Sequence, residues 1–461
     1  MCGSMAGKYR FLSVLCVFAL APVQGFADDA AGSVYDAFDG AAAVDLEAQA
    51  PGTVIAAIRD ALRHNPQLRI AEARQDAAKS ERFRALGGFL PDVEATASYT
   101  DDRWRSDGLE VVGMSEGTTL GVTAVQPLFQ GLSAFNRFRA ARARVSQSEL
   151  ALLSTMQQTA LDAARAHAGV ILARKIVDHR IENMGLVSQQ LNISEKRTEA
   201  GAQSRTGVEQ ARMRLAQAQV DLGEARTRLA QQEAAFIRIT GRMPAAEMTE
   251  DMSDLADVFS SLEDALAIAR EGNPAIAAAE SAAKAARHDK SAATGAIAPQ
   301  LTLEGSYFKR YGEDPLIASQ ADEEYQLVAR MRMPLFRQGN NIANVRSANA
   351  TVAQQEAQTT ATLLAVEEIV NRTWRQLEQA KARRVAAESG IEAARQSVRG
   401  LDMEYSAGQR SVIDVLDGQR DLVIAQINAS QADYEVRVTQ YELAAATGTI
   451  FDAFGETSGL N

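Results

Sequence analysis

Asp414 and Asp417 stand three residues apart in the stretch YSAGQRSVIDVLDGQRDL, Tyr405–Leu422. That spacing puts both carboxylates on one face of a helix. At a helix start an aspartate can cap open backbone amides, and a pair of acids on an exposed face attracts cations. Nothing that would turn them into a catalytic pair accompanies them. The four histidines, His64, His167, His179 and His288, have no metal-ligand spacing among themselves. His179, beside Asp178, reads as part of a solvated helix face. The chain has no phosphate-cradling glycine loop and no Gly-x-Ser-x-Gly elbow. The residues therefore point away from an enzyme and imply no cofactor or metal. A looser version of the stretch, TEAGAQSRTGVEQARMRL, fills Thr198–Leu215, with Gly201 in the place of Gly408 and without the paired acids.

The elements holding these turns are legible in composition. The chain of 461 residues is 46% hydrophobic but only 6% aromatic, with 10 prolines. Alanine-rich runs mixed with Gln, Glu and Arg favour long helices in close contact. A net charge of -11, with no basic patch interleaved with aromatics, argues against nucleic-acid binding. Residues 1–27 read as a secretory signal: Lys8 and Arg10, then the apolar FLSVLCVFALA, then a small-residue cleavage site before Asp28, with Met1 or Met5 as the start. Cys2 and Cys16 both fall inside it, and Leu15 before Cys16 does not suit a lipoprotein signal. No later stretch reaches 18 consecutive apolar residues, which excludes a helical membrane protein and leaves a membrane barrel open.

The chain repeats itself. HNP at His64–Pro66 echoes GNP at Gly272–Pro274, and FLPDVEATASY from Phe89 echoes IAPQLTLEGSY from Ile297. QPLFQG, ending at Gly131, echoes MPLFRQG, ending at Gly339, with one residue inserted. Gly201 echoes Gly408, and ITG at Ile239–Gly241 echoes ATG at Ala446–Gly448. The expected organisation is a signal peptide 1–27, an N-terminal extension 28–50, a first repeat 51–241, an acidic linker 242–260, a second repeat 261–448 and a tail 449–461. Each repeat reads as helix, strand, strand, long helix, turn, helix.

In the first strand Val93, Ala95, Ala97 and Tyr99 oppose Glu94, Thr96, Ser98 and Thr100, the period-two pattern of a half-buried strand. Alternation fits a membrane barrel and a small sheet on a soluble core equally. Tyr99, Trp104, Phe129, Tyr307, Tyr311 and Phe336 lie near strand ends, where a barrel carries aromatic girdles. The long helices decide. Gly131–Ala200 and Asn340–Ala407 contain no proline, and 70 helical residues span roughly 105 Å. Val208, Ala211, Leu215, Ala218, Leu222 and Ala225 keep a heptad rhythm, as do Val415, Gly418, Leu422 and Ala425. Each glycine turn is thus the tip of an antiparallel coiled-coil hairpin. Four strands cannot close a barrel, and an open edge cannot sit in lipid, so several chains must pool strands: two give eight and three give twelve.

Signal peptide, duplicated unit, strand pairs, long helices and turn motifs together resemble the TolC-like family of outer-membrane channel-tunnel proteins. The resemblance implies a mostly α protein with a β-barrel part. Duplicated long antiparallel coiled-coil helices would form a periplasmic tunnel, and four strands per chain would enter a trimeric twelve-stranded barrel in the outer membrane of a Gram-negative bacterium. It implies a cofactor-free exit duct for tripartite efflux pumps or type I secretion, working with a periplasmic adaptor and an inner-membrane transporter of RND or ABC type. The family's gate pattern falls on Tyr405, Arg410, Asp414 and Asp417. By that resemblance the acids line a cation-selective constriction, while Tyr405 and Arg410 tie the second hairpin to the first. Thr206 matches the family there, whereas Gly207 stands where some members carry an acid, leaving Glu209 or a backbone carbonyl as acceptors for Arg410. The exposed turns at Gly201, Gly408 and Ser411 are the expected adaptor-docking tips. Rival readings are a periplasmic adaptor, which normally has one hairpin with small β domains, and a coiled-coil stalk, which would lack mirrored strand pairs.

Overall fold

A computed structural model describes residues 52–105, 112–202, 204–249, 259–313 and 322–451. The expected signal peptide and extension, the middle of the linker and the end of the tail fall outside these residues. So does the side chain of Trp104.

The first helical stretch is divided at Asn65 into two helices. α1 (Val54–His64) starts at Thr53, whose hydroxyl accepts from the Ala56 amide at 3.2 Å. It stops at Asn65 because Pro66 disfavours helical backbone in the residue before it. α2 (Pro66–Gly87) then restarts, with Asn65 Oδ1 accepting from the Gln67 amide at 2.9 Å. β1 (Asp92–Arg105) and β2 (Val112–Gln130) follow, then α3 (Ser133–Glu199) and α4 (Arg205–Thr240). The second repeat uses the same devices. α5 (Leu262–Gly272) and α6 (Pro274–Gly295) are divided at Asn273, whose Oδ1 accepts from the Ala275 amide at 2.9 Å. β3 (Gln300–Glu313), β4 (Glu323–Arg332), α7 (Asn340–Ser406) and α8 (Val412–Thr447) complete it.

The described residues form two compact units. One comprises Arg74–Ser148 and Ala278–Thr359. It holds one antiparallel sheet in the order β1-β2-β3-β4. Both hairpins share one register: Val93 faces Ala124 and Ala97 faces Leu120, while Leu301 faces Met331 and Gly305 faces Leu327. The expected alternation holds across all four strands, because paired residues share a face. Tyr99 (68% exposed), Leu120, Val122, Leu327 and Met331 (69% exposed) lie on the open apolar face. The other face carries the ion pairs Arg330–Glu304 at 3.3 Å and Arg310–Glu324 at 2.9 Å, and Phe308 covers Gly121. Lys309 and Glu323 break the pattern: they pair at 3.2 Å on the apolar face, beside Tyr311 and Tyr325.

This register corrects the alignment of the strand-to-helix turns. Gly131 and Leu132 have φ 60 and 64; their counterparts are Gln338 and Gly339, with φ 52 and 79. Gly131 therefore matches Gln338, not Gly339, and Ser133 matches Asn340. Counting back through the shared register, the length difference between the repeats falls in the connection within the strand hairpin, not in the turn.

The other unit comprises residues up to Ala73, Glu149–Ala277 and the chain from Thr360. Its largest core joins Val54, Ile58 and Ala61 of α1 to Ala160, Ala164 and Val170 of α3, Phe236 and Ile239 of α4, and Tyr441 of α8. α3 and α7 are 67 residues each, about 100 Å long, and each folds back on a 36-residue partner, α4 or α8. The first hairpin buries the expected heptad residues Val208, Ala211, Ala218, Leu222 and Ala225. In the second, Val415, Ala432 and Val436 are buried, Leu422 is half-buried, and a Cβ on Gly418 would run into Leu401 of α7.

Candidate functional site

The two hairpin turns are built alike. Gly201 and Gly408 adopt φ 73 and 76, a backbone region that favours glycine. The amide that follows each glycine donates five residues back, Ala202 to Arg197 O and Gln409 to Glu404 O, both at 2.8 Å. These bonds close the ends of α3 and α7 in the manner of a Schellman motif. A Cβ added at either glycine meets nothing within 4 Å. Both turns are exposed, as is Ser411.

After Gly408 the side chains fall into three arrangements. First, Ser411 caps α8 together with Asp414: the Ser411 amide and hydroxyl both donate to Asp414 Oδ2, at 2.9 and 2.7 Å. Those bonds, above all the hydroxyl's, hold the Asp414 carboxyl below its ordinary value, with help from nearby Arg410. Second, Arg410 Nε donates to Glu404 Oε2 at 2.8 Å, a contact inside its own hairpin. Glu209, considered above as its acceptor, instead receives Arg212 at 3.1 Å. Third, Asp417 receives Arg214 from α4 at 2.5 Å, a charge-assisted link between the hairpins. Arg214 is 25% exposed and Asp417 47%; the Arg214 Nε is buried and makes no hydrogen bond among the described residues.

Tyr405 is 6% exposed and belongs to a cluster with Val187, Ala211, Val412, Val415 and Leu416. The Arg197 guanidinium of α3 lies 4.4 Å from its ring centroid, a cation–π contact. Tyr405 therefore does reach the first hairpin, through its ring face. Thr206 is exposed on the first turn of α4, next to the buried Gly207. The structure thus brings Asp414, Ser411, Arg410 and Tyr405 together around one turn and sets Asp417 on the seam to α4. Arg214 and Arg197 were not singled out in the sequence. Each is one of many arginines on its helix, and only the packing of the second hairpin on the first gives them a role.

Two of the histidines contact backbone carbonyls. His64 Nδ1 contacts Asp60 O and His167 Nε2 contacts Gly52 O, each at 2.9 Å. Burial holds His167 below its ordinary value. Among the described residues no group of three or more His, Cys, Asp or Glu side chains is placed to hold a metal.

The architecture is shared with known proteins. The family model described as "Outer membrane efflux protein" matches residues 57–242 and 265–449. The outer membrane efflux protein BepC of Brucella suis is 27% identical over 398 residues, covering 86% of this chain and 85% of BepC. The outer membrane protein TolC of Vibrio cholerae is 24% identical over 395 residues, covering 85% and 89%. Among solved structures, CusC superposes with a TM-score of 0.77 at 19% identity, covering 86% of this chain and 92% of CusC. The Campylobacter jejuni CmeC outer membrane channel gives 0.76 at 14% identity, covering 88% and 90%. A family match over both repeats sets aside the adaptor and the stalk. The chain belongs to the outer membrane efflux protein family and is a non-enzymatic outer-membrane channel, of the trimeric kind that serves efflux systems.

Proposed function

We propose that this channel is a homotrimeric exit duct gated at its hairpin turns. Three chains contribute four strands each to a twelve-stranded barrel, and the long helices form the periplasmic tunnel. The chain is organised as a leader 1–27, an extension 28–50, repeats 51–241 and 261–448 around the linker 242–260, and a tail 449–461. The observation that carries the reading is the open sheet: among the described residues β1 and β4 are unpaired edges of one sheet whose apolar face is exposed. Such a sheet is acceptable in lipid only when further copies complete it.

At the periplasmic end Asp414 and Asp417 face the constriction and favour cations. Tyr405, Arg410 and Thr206 hold the turns closed. The exposed tips at Gly201, Gly408 and Ser411 dock a periplasmic adaptor, which connects to an inner-membrane transporter of RND or ABC type. Among relatives, the alkaline protease secretion protein AprF of Pseudomonas aeruginosa is 24% identical over 422 residues, covering 87% of this chain and 85% of AprF. This supports protein secretion as one duty of such a duct.

The test is conductance in a planar bilayer. The wild-type channel should be cation-selective and blocked by multivalent cations, and Asp414→Ala with Asp417→Ala should weaken that block. Unchanged block in the double variant removes the acids from the constriction.

A further inference from the structure

The first turns of α3 carry a charge opposite to that of the whole chain. The protein has a net charge of -11, yet residues 133–148 hold Arg137, Arg139, Arg142 and Arg144 and no Asp or Glu. All four arginines are exposed. This part of α3 is covered on both flanks by its own chain. On one side Gly131 meets Gly295 so closely that neither leaves room for a Cβ, and Ser146 Oγ lies 3.5 Å from Ser281 Oγ of α6. On the other, Phe89, just past α2, packs edge-on against Phe138 with ring centroids 6.5 Å apart. Ser133, Ala140 and Ala143 are buried, whereas their matches on α7, Asn340, Ser347 and Ala350, are exposed.

What stays open on α3 is a face between these flanks. Phe135, Arg139 and Arg142 are spaced to share it. Phe135 is 38% exposed, and Leu132, just before the helix, 63%. The Arg139 guanidinium sits 5.1 Å from the Phe135 ring centroid, a cation–π contact. α6 adds to the cluster. Its Lys284 is exposed, and His288 is held below its ordinary value by burial and then by Arg139 and Lys284 nearby. Arg144 takes Asp289 of α6. Among the described residues Arg139, Arg142 and Lys284 form no ion pair. Cations gathered without a counter-charge repel one another, so the cluster calls for an anion from outside the chain. The second repeat keeps part of the pattern. Of the four arginines only Arg139 has a matching arginine, Arg346, and Phe135 matches the exposed Ile342.

The levels along the chain say what kind of anion. Phe129 ends the apolar face of β2, and Phe135 follows on α3. Arg139 and Arg142 stand about 6 and 10 Å beyond Phe135 along the helix. The headgroup layer of a bilayer is roughly 5–8 Å thick on each side. With the apolar face of the sheet in hydrocarbon, the cations therefore fall at the level of lipid phosphates. A small anion would need the cations alone, whereas the exposed Leu132 and Phe135 beside them suit an apolar tail.

We propose that Phe135, Arg139 and Arg142 of α3, with Lys284 of α6, form a site for an anionic phospholipid of the periplasmic leaflet of the outer membrane. The phosphate lies between the two guanidinium groups and the Lys284 ammonium. The acyl chains run over Phe135 and Leu132 towards the apolar face of the sheet. This rests on the barrel reading, which sets the level of the membrane.

Native mass spectrometry of the full channel, taken from detergent mixed with phosphatidylglycerol or with phosphatidylcholine of the same chains, tests the site. Wild type should retain phosphatidylglycerol several-fold over phosphatidylcholine. Arg139→Gln/Arg142→Gln should lose that preference, and Arg139→Lys/Arg142→Lys should keep most of it. Arg137→Gln/Arg375→Gln removes the same charge from the opposite face of α3 and from the other unit, and should keep it too. Loss in that last variant would show that net charge alone attracts the lipid. Loss in the lysine variant would show that packing and not charge is at work. Either result overturns the site, as does equal retention of the two lipids by wild type. Full displacement of phosphatidylglycerol by millimolar inorganic phosphate would mark a small-anion site and overturn it as well. Planar-bilayer conductance separates this from the reading beneath. A wild type that conducts without lipid preference overturns the site alone, and one that does not insert overturns the barrel.

Discussion

At the scale of single residues, the two acids of the second turn do different work. Asp414 is a cap held by Ser411, and Asp417 is half of a link to Arg214. An ion pair this exposed couples by about 1 kcal/mol. Its larger effect is on charge, because a guanidinium at 2.5 Å offsets the Asp417 carboxylate. Arg214→Ala should therefore increase cation selectivity and deepen block by a trivalent cation several-fold, and Arg214→Ala/Asp417→Ala should abolish the gain. Selectivity that does not move in Arg214→Ala would show that Asp417 lies off the ion path. Asp414 has the opposite logic. Its folded value is depressed, so its contribution to the helix start is complete above the ordinary carboxylate value and is lost as pH falls through the lowered one. Ser411→Ala should move the Asp414 titration up towards the ordinary value, measured by carboxyl-selective carbon-13 NMR. A curve identical to wild type would mean that Ser411 does not hold the carboxylate. The spacing of Asp414 and Asp417 was readable, and so was Asp414's capacity to cap. The partner of Asp417 was not, because Arg214 lies on another helix and only tertiary packing selects it from its neighbours.

At the scale of elements, the glycine turns separate backbone effects from packing effects. Gly201 and Gly408 have positive φ and open surroundings, so a side chain there meets strain but no collision. Gly408→Asn should cost little, and Gly408→Val on the order of 1–2 kcal/mol. Gly448 also has positive φ, but its Cβ would sit 2.4 Å from Gly272 O. Gly448→Ala should therefore lower the thermal midpoint more than Gly408→Ala does. Equal shifts would mean that the contact between α5 and the end of α8 yields easily. Gly408→Val carries a second expectation: transport is lost with the trimer intact, as an adaptor-docking tip requires. The elements themselves were legible because proline-free alanine-rich runs and strict alternation leave few other solutions. Which glycine matches which was not. Sequence paired Gly131 with Gly339, but backbone angles pair Gly131 with Gln338, because the left-handed region spans two residues and the glycine occupies either one.

At the scale of the whole molecule, α3 and α7 are equal in length yet unequally covered where they meet the strands. A monomer that tolerated this exposure would have no need of copies, so the mature chain should fail to persist as a soluble monomer. Analytical ultracentrifugation without detergent would check this; a stable monomer there would remove the argument from the open edge. The sequence showed that four strands need companions but left their number open, since two chains or three satisfy the same alternation.

The joint at Gly131 and Gly295 carries a further consequence. A ring of identical single repeats would have to place the same residue at every seam, so the spacing there could change only everywhere at once. Fusing two repeats in one chain makes the two positions genetically separate. One is then free to stay closed around glycine, while its counterpart, Gln338, is exposed and carries a long side chain.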